Sequence, residues 1–313
     1  MKRFHLYTLF ILFTLCASTI HAQKISASAL LQLKLKEDSL KEYANYLTTD
    51  SLTEDRMVSD SIFTRTLRRA LAINNSFYYP FDSLLGIARV YAPDSSFRII
   101  TWNISFNDYW ARQKGAIQLR TTDGSLKLIP LRDVSEFIEN TEDSVRTPLN
   151  WIGAMYYNIV LKEYQGKKYY TLFGFDSNNA MSSIKRIEVM TFDSKGQPQF
   201  GGPYFSYEKD TPQKGFQYRY QIEFKKGAHI LANYMPDMDM ILIDHLVSEN
   251  NDPEHKWTYV PDGDQEGFKW ENGRWIHINK VFNQTLMDGQ APHDVPLFEK
   301  PSNSGTTPSK RIK

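Results

Sequence analysis

Cysteine is almost missing from this chain. Its 313 residues contain one, Cys16, inside a short apolar stretch near the N-terminus. With that stretch removed, disulfides, thiolate metal centres and cysteine nucleophiles are excluded together. An excess of one charge is missing too. The formal net charge is +1, which argues against a protein that wraps a polyanion, so nucleic acid is not an expected partner. Long apolar runs are also lacking: residues 6–15 are too few to cross a bilayer as a helix, and no later segment is longer and apolar. An integral membrane protein is therefore not expected. The short signatures of chemistry do not occur either. There is no Gly-x-Ser-x-Gly elbow, Walker loop or dinucleotide glycine fingerprint. Gly201-Gly202 before Pro203 reads as a turn, not a phosphate cradle.

What is present begins with a processing signal. Lys2 and Arg3 precede the apolar residues 6–15, and Ala22 suits the last position before cleavage. Cleavage is expected between Ala22 and Gln23, giving a mature chain without thiols. Leu15 precedes Cys16 where a lipoprotein signal carries a small residue, so lipid attachment is not expected. The expected location is outside the cytoplasm: periplasmic, cell-surface or secreted.

Hydrophobic spacing divides the remainder. Ile25, Ala29, Leu33, Leu40, Tyr43 and Leu47 recur at helical intervals, and a second helix is predicted from Thr53 to Asn74. A short helix or turn follows Pro80. From Ser96 the period becomes two, as in FRIITWNISF, where Ile100, Trp102, Ile104 and Phe106 share a face. Aromatics make up 14% of the chain, which favours sheet over helix bundle. Asp123-Gly124 and Asn272-Gly273 mark hairpins, and a short helix is expected at DVSEFIEN, near residue 135. The predicted fold is α+β and mostly antiparallel. A helical arm over residues 23–95 precedes a β-meander over 96–282 that closes as a barrel, a sandwich or an incomplete propeller. Residues 283–313 read as an irregular tail.

Three places hold chemistry-bearing side chains. In residues 238–246, strand parity puts Asp244 on a face with Met240 and Leu242. A carboxylate there is catalytic, metal-binding or hydrogen-bonded to a nearby turn, and His245 beside it points the other way. In residues 261–270, Asp262, Asp264 and Glu266 bracket Gly263 and offer oxygens to a divalent cation, although the spacing is not that of an EF-hand loop; an acidic turn between strands is the alternative. Trp270 and Trp275 flank a hairpin turn, where they either stack on a ligand such as a glycan or pair in the core. Five of the seven histidines follow residue 22, and none forms a helical metal pair. Asp-Ser-aliphatic triplets at 38, 50, 60, 82 and 143 look like an O-glycosylation acceptor pattern or helix caps.

The segments YYTLFGFD, IKRIEVMTFDSKGQPQFGGPYF, ILIDHL, VPDGDQEGF and ENGRW together resemble uncharacterised exported β-rich proteins of Gram-negative bacteria. That resemblance implies an envelope location and one recurring β module over residues 75–282, and it implies no activity, cofactor or catalytic residue. The leading expectation is an exported non-enzymatic binding or structural protein with an envelope, glycan or protein ligand. The alternatives are a hydrolase built on Asp244, His245 and the acidic segment, and a carbohydrate-binding module.

Overall fold

A computed structural model describes residues 25–107 and 109–282; the expected signal peptide, Cys16 and the tail from 283 lie outside the described residues. Two helices come first. Helix α1, Ala27–Thr49, opens on Ser26, whose hydroxyl accepts the amide of Ala29. It buries Leu33, Leu40, Ala44 and Leu47 at the predicted spacing. Helix α2, Thr53–Leu71, carries Glu54 and Asp55 in its first turn and Arg68 and Arg69 in its last, matching the helix dipole at both ends. Glu37 of α1 is buried: Tyr79 Oη donates to it, as does the Ser83 amide at 2.9 Å.

Among the described residues the strands form three sheets, none of which closes into a barrel. Sheet 1 is a meander of β1 (Ala88–Tyr91), β2 (Phe97–Asn107), β3 (Trp110–Leu119) and β4 (Lys127–Arg132). Sheet 2 orders β10 (Arg219–Lys225), β7 (Ser182–Phe192), β6 (Lys167–Asp176) and β5 (Met155–Tyr164), with β8 (Pro198–Phe200) on β7. Sheet 3 orders β11 (Ala232–Met235), β12 (Met240–Ser248), β13 (Tyr259–Glu271), β14 (Arg274–Ile278) and β9 (Phe205–Ser206). Every pairing is antiparallel except β14 with β9.

Three cores order the layers. Ile100, Trp102 and Ile104 of β2 pack against the two helices. Phe97 and Ile99, on the opposite face of the same strand, pack with Tyr156, Leu172 and Met190 of sheet 2. The far face of sheet 2 contributes Phe173, Ile187 and Val189 to a core with Ile241, Phe268 and Trp275 of sheet 3. Sheet 2 is thus covered on both sides, which is why YYTLFGF reads as a continuous apolar run instead of alternating.

Three local expectations need correction. Strand β1 lies inside the stretch read as helical; four residues are too few for a period to declare itself, and pairing with β2 decides the conformation. The helix expected near residue 135 is a single 3-10 turn, Ser135–Phe137, because Asp133 Oδ1 binds the amide and hydroxyl of Ser135 and tightens the chain locally. Asp123-Gly124 sits in a loop of residues 120–126, not a two-residue hairpin, and docks on the end of α2 through Asn75 N to Gly124 O at 2.9 Å. Asn272-Gly273 is the tight turn expected, with φ of 50° and 80°.

Candidate functional site

The candidates read from sequence separate in space. Asp244 is half-buried in the middle of β12, accepting from the amide of Leu231, just before β11, at 2.7 Å and from Gln265 Nε2 at 2.9 Å. His245 points to the other face and meets Asp262 Oδ2 at 2.8 Å on an exposed surface. Burial opposes the charge on Asp262, yet the His245 hydrogen bond prevails and holds its carboxyl below the usual range. Asp244 and His245 therefore do not share a site.

Residues 262–266 are not a turn. They belong to β13, where β12 pairs with Pro261 and again with Gln265 and Glu266, leaving Asp262, Gly263 (φ 97°) and Asp264 as a bulge opposite His245. The three carboxylates go to separate partners: Asp262 to His245, Asp264 to Lys280 at 2.9 Å, and Glu266 to Tyr220 Oη at 2.7 Å and His277 Nε2 at 3.3 Å. Among the described residues, no group of three or more such side chains is arranged to hold a metal.

Trp270 and Trp275 are cross-strand partners with ring centroids 5.2 Å apart and planes at 66°. Trp275 is fully buried and donates to Thr171 Oγ1 at 2.9 Å. It cannot stack on a ligand, because alternation along β13 and β14 turns both rings toward sheet 2.

A different place gathers exposed polar groups. At one end of the seam between sheets 1 and 2, a groove of about 590 Å³ opens between the connection from α1 to α2, the β2–β3 hairpin and the loop after β6. Amides and hydroxyls dominate it, among them Thr53, Asn103, Ser105, Ser177, Asn178 and Asn179. Its two cations are already engaged: Arg56 Nε donates to Ser105 O at 2.9 Å and Lys226 Nζ to Ser177 O at 2.6 Å. A smaller pocket of about 150 Å³ adjoins it through Ala111 and Asn178, beside the buried pair of Arg186 and Asp176 at 2.8 Å. Phe106 lines the groove and stacks on Trp110, centroids 4.0 Å apart, with the Arg112 guanidinium over both rings.

Two amides at this end are incompletely bonded. Asn103 and Gln113 are register partners across β2 and β3. Asn103 Nδ2 donates to Ser177 Oγ at 3.1 Å and Gln113 Nε2 to Asp176 Oδ1 at 3.0 Å. Both carbonyl oxygens are buried without a donor among the described residues. Asn103 lines the groove, and Gln113 stands beside it on the next strand. Sequence reading placed Asn103 on the polar side of β2 without singling it out. The available signal was a gradient: Phe97, Ile99, Thr101 and Asn103 share one face and turn from apolar to polar along it. The chain matches no protein-family model, and no curated protein matches it.

Proposed function

We propose that the protein is an exported, non-enzymatic binding protein that takes a neutral polyhydroxylated ligand, a glycan, in the groove at the end of the seam between sheets 1 and 2. The observation that carries this reading is Asn103, a residue lining the groove whose amide nitrogen is held by Ser177 while its buried carbonyl oxygen has no donor among the described residues. A buried acceptor left unpaired costs about 1–3 kcal/mol, and a ligand hydroxyl recovers that when it binds. The surrounding amides and hydroxyls offer further donors and acceptors. The stacked pair of Phe106 and Trp110 supplies an aromatic edge of the kind that packs on sugar C–H faces. The groove volume falls within the range of small-ligand sites.

Calorimetric titration of the purified protein against a panel of soluble oligosaccharides tests the proposal. At least one member is expected to bind, and Phe106→Ser is expected to weaken that binding without lowering the melting temperature greatly. Heats indistinguishable from dilution across the panel would refute a glycan ligand.

A further inference from the structure

A second groove lies on the helix-facing side of sheet 1. Helix α2 covers β2 but leaves the helix-facing side of β3 and β4 open. Two contiguous stretches of about 530 Å³ and about 400 Å³ run along it, sharing Thr64, Trp102, Gly115 and Pro130. The lining changes character from end to end. Toward the C-terminal end of α2 it is apolar, with Leu67, Leu71, Leu126, Leu128 and Ala116. Toward the other end it is cationic, with Arg112, Lys114 and Arg132. Strand register explains the grading: Lys114 pairs Arg132, while Ala116 pairs Pro130, so charge and apolar surface follow one another along the same face.

The cations are not all neutralised. Arg112 meets Glu136 at 2.5 Å, and Lys114 reaches the buried Asp60. Asp133, the remaining carboxylate at this end, accepts from the backbone amides of Gln113, Ser135 and Gly153. Arg132 is exposed and has no carboxylate partner among the described residues, and neither has Arg68 on the rim of the apolar end. Phe137, 71% exposed, stands beside the cationic end.

We infer that this groove binds a single-chain anionic amphiphile, with the chain along Leu71, Leu126 and Leu128 and the anionic head at Arg132 and Lys114. An apolar trough closed at one end by an unpaired cation complements such a molecule in shape and in charge. A wholly apolar ligand would leave the cationic end unused, and a cationic amphiphile would be repelled there. The inference does not depend on the glycan reading, because the two grooves share no lining residue.

The test is a fluorescence titration of the full chain with dodecanoate carrying a bromine at its chain end, kept below its micelle concentration. Saturable quenching is expected, and Trp102→Phe should remove the largest part of it. Arg132→Glu, at an exposed position, should weaken binding about tenfold and increased salt should weaken it further. Leu128→Asp should weaken it at least as much, with a melting curve recorded for each variant. Absence of saturable quenching, equal affinity for dodecyltrimethylammonium, or indifference to both Arg132→Glu and Leu128→Asp would overturn the inference. So would an acidic apolar peptide that binds this face while dodecanoate does not.

Discussion

Where sheets 1 and 2 meet, two buried polar assemblies differ in how fully they are bonded. Arg219 and Glu188 are almost wholly buried and pair at 3.0 Å. Glu188 also accepts from Tyr156 Oη at 2.5 Å, and Tyr156 accepts from Trp151 Nε1 at 2.7 Å. The other guanidinium nitrogens of Arg219 reach the carbonyls of Phe200, Thr141 and Ser144. Further along the seam, Asn103 and Gln113 each bond through nitrogen and leave the oxygen without a donor. A network that specifies packing has its hydrogen-bonding capacity filled from within the chain. A network that meets a ligand keeps part of that capacity open. The first kind should fail through stability and the second through binding.

The largest effect is expected at Arg219. Replacing it with Leu leaves the Glu188 carboxylate buried and unpaired, a change that costs about 3–5 kcal/mol in comparable settings. Urea denaturation of Arg219→Leu should show that loss, and the double variant with Glu188→Leu should recover much of it. A loss under about 1 kcal/mol would mean that the assembly is not the packing element the comparison requires.

A second closed assembly gives a pH dependence. His277 is buried between Asp210, at 2.9 Å from Nδ1, and Glu266, at 3.3 Å from Nε2, with the rings of Tyr207 and Phe268 against it. Burial pushes the imidazole pKa down, but the two carboxylates prevail and raise it above its ordinary 6.5. Burial likewise pushes Glu266 up, and its bonds to His277 and Tyr220 hold it below its ordinary 4.5. A raised histidine contributes stability that is fully present below 6.5 and is lost as pH rises through the folded value. A depressed glutamate contributes stability that is fully present above 4.5 and is lost as pH falls through its folded value. Stability from this cluster should therefore be greatest between these ordinary values. Its loss on the alkaline side should vanish in His277→Gln. Denaturation midpoints of both proteins across pH check this, and an unchanged alkaline slope in the variant would assign it to other groups.

These elements show what the chain discloses to a reader and what it hides. The two helices, the tight turn at Asn272-Gly273 and most strands were legible because each depends on spacing within a few residues. Arg98 and Arg219 were not legible as buried groups. Arg98 begins the face of Ile100 and Trp102, where its partners Ser76 and Tyr79 come from a distant segment, and only the packing of a second layer turns the polar face of β10 inward. Gly263 reads as a turn residue because a bulge and a turn make the same local demand. Pairing with β12, set by distant residues, chooses between them. The groove was hidden for the same reason: Asn103 and Ser177 come together only when sheets 1 and 2 pack.

Asp244 tests the middle of the scale. Its two oxygens accept from Leu231 N and Gln265 Nε2 at a half-buried position. Asp244→Asn keeps one acceptor and should cost about 1 kcal/mol or less, while Asp244→Leu keeps none and should cost about 1–3 kcal/mol. Glycan binding should survive in both, since the groove lies at the seam of the other two sheets. Thermal melts beside the oligosaccharide titration separate the outcomes. Loss of binding in a folded Asp244→Asn would move the functional site to sheet 3.

The smallest stability effect, and the sharpest distinction, is expected at Asn103. Leu is close to Asn in shape but has neither donor nor acceptor. Asn103→Leu removes the hydrogen bond to Ser177 Oγ, a loss of about 0.5–1.5 kcal/mol. It also removes a buried oxygen that no donor satisfies, which returns a comparable amount. The melting temperature should therefore stay near that of the parent or rise, as is common where a site holds polarity for a ligand at the expense of the free protein. Affinity for whichever oligosaccharide binds should fall about tenfold or more, because the ligand hydroxyl facing that position loses its acceptor. Asn103→Asp supplies the contrast. It places a charge in a half-buried site where the Ser177 hydroxyl is the neighbour that can turn to donate to it, so it should lower the melting temperature while keeping an acceptor for the ligand. If Asn103→Leu instead destabilises the fold by more than about 2 kcal/mol, Asn103 belongs with Arg219 as a packing group, and the distinction between the two ends of the seam fails.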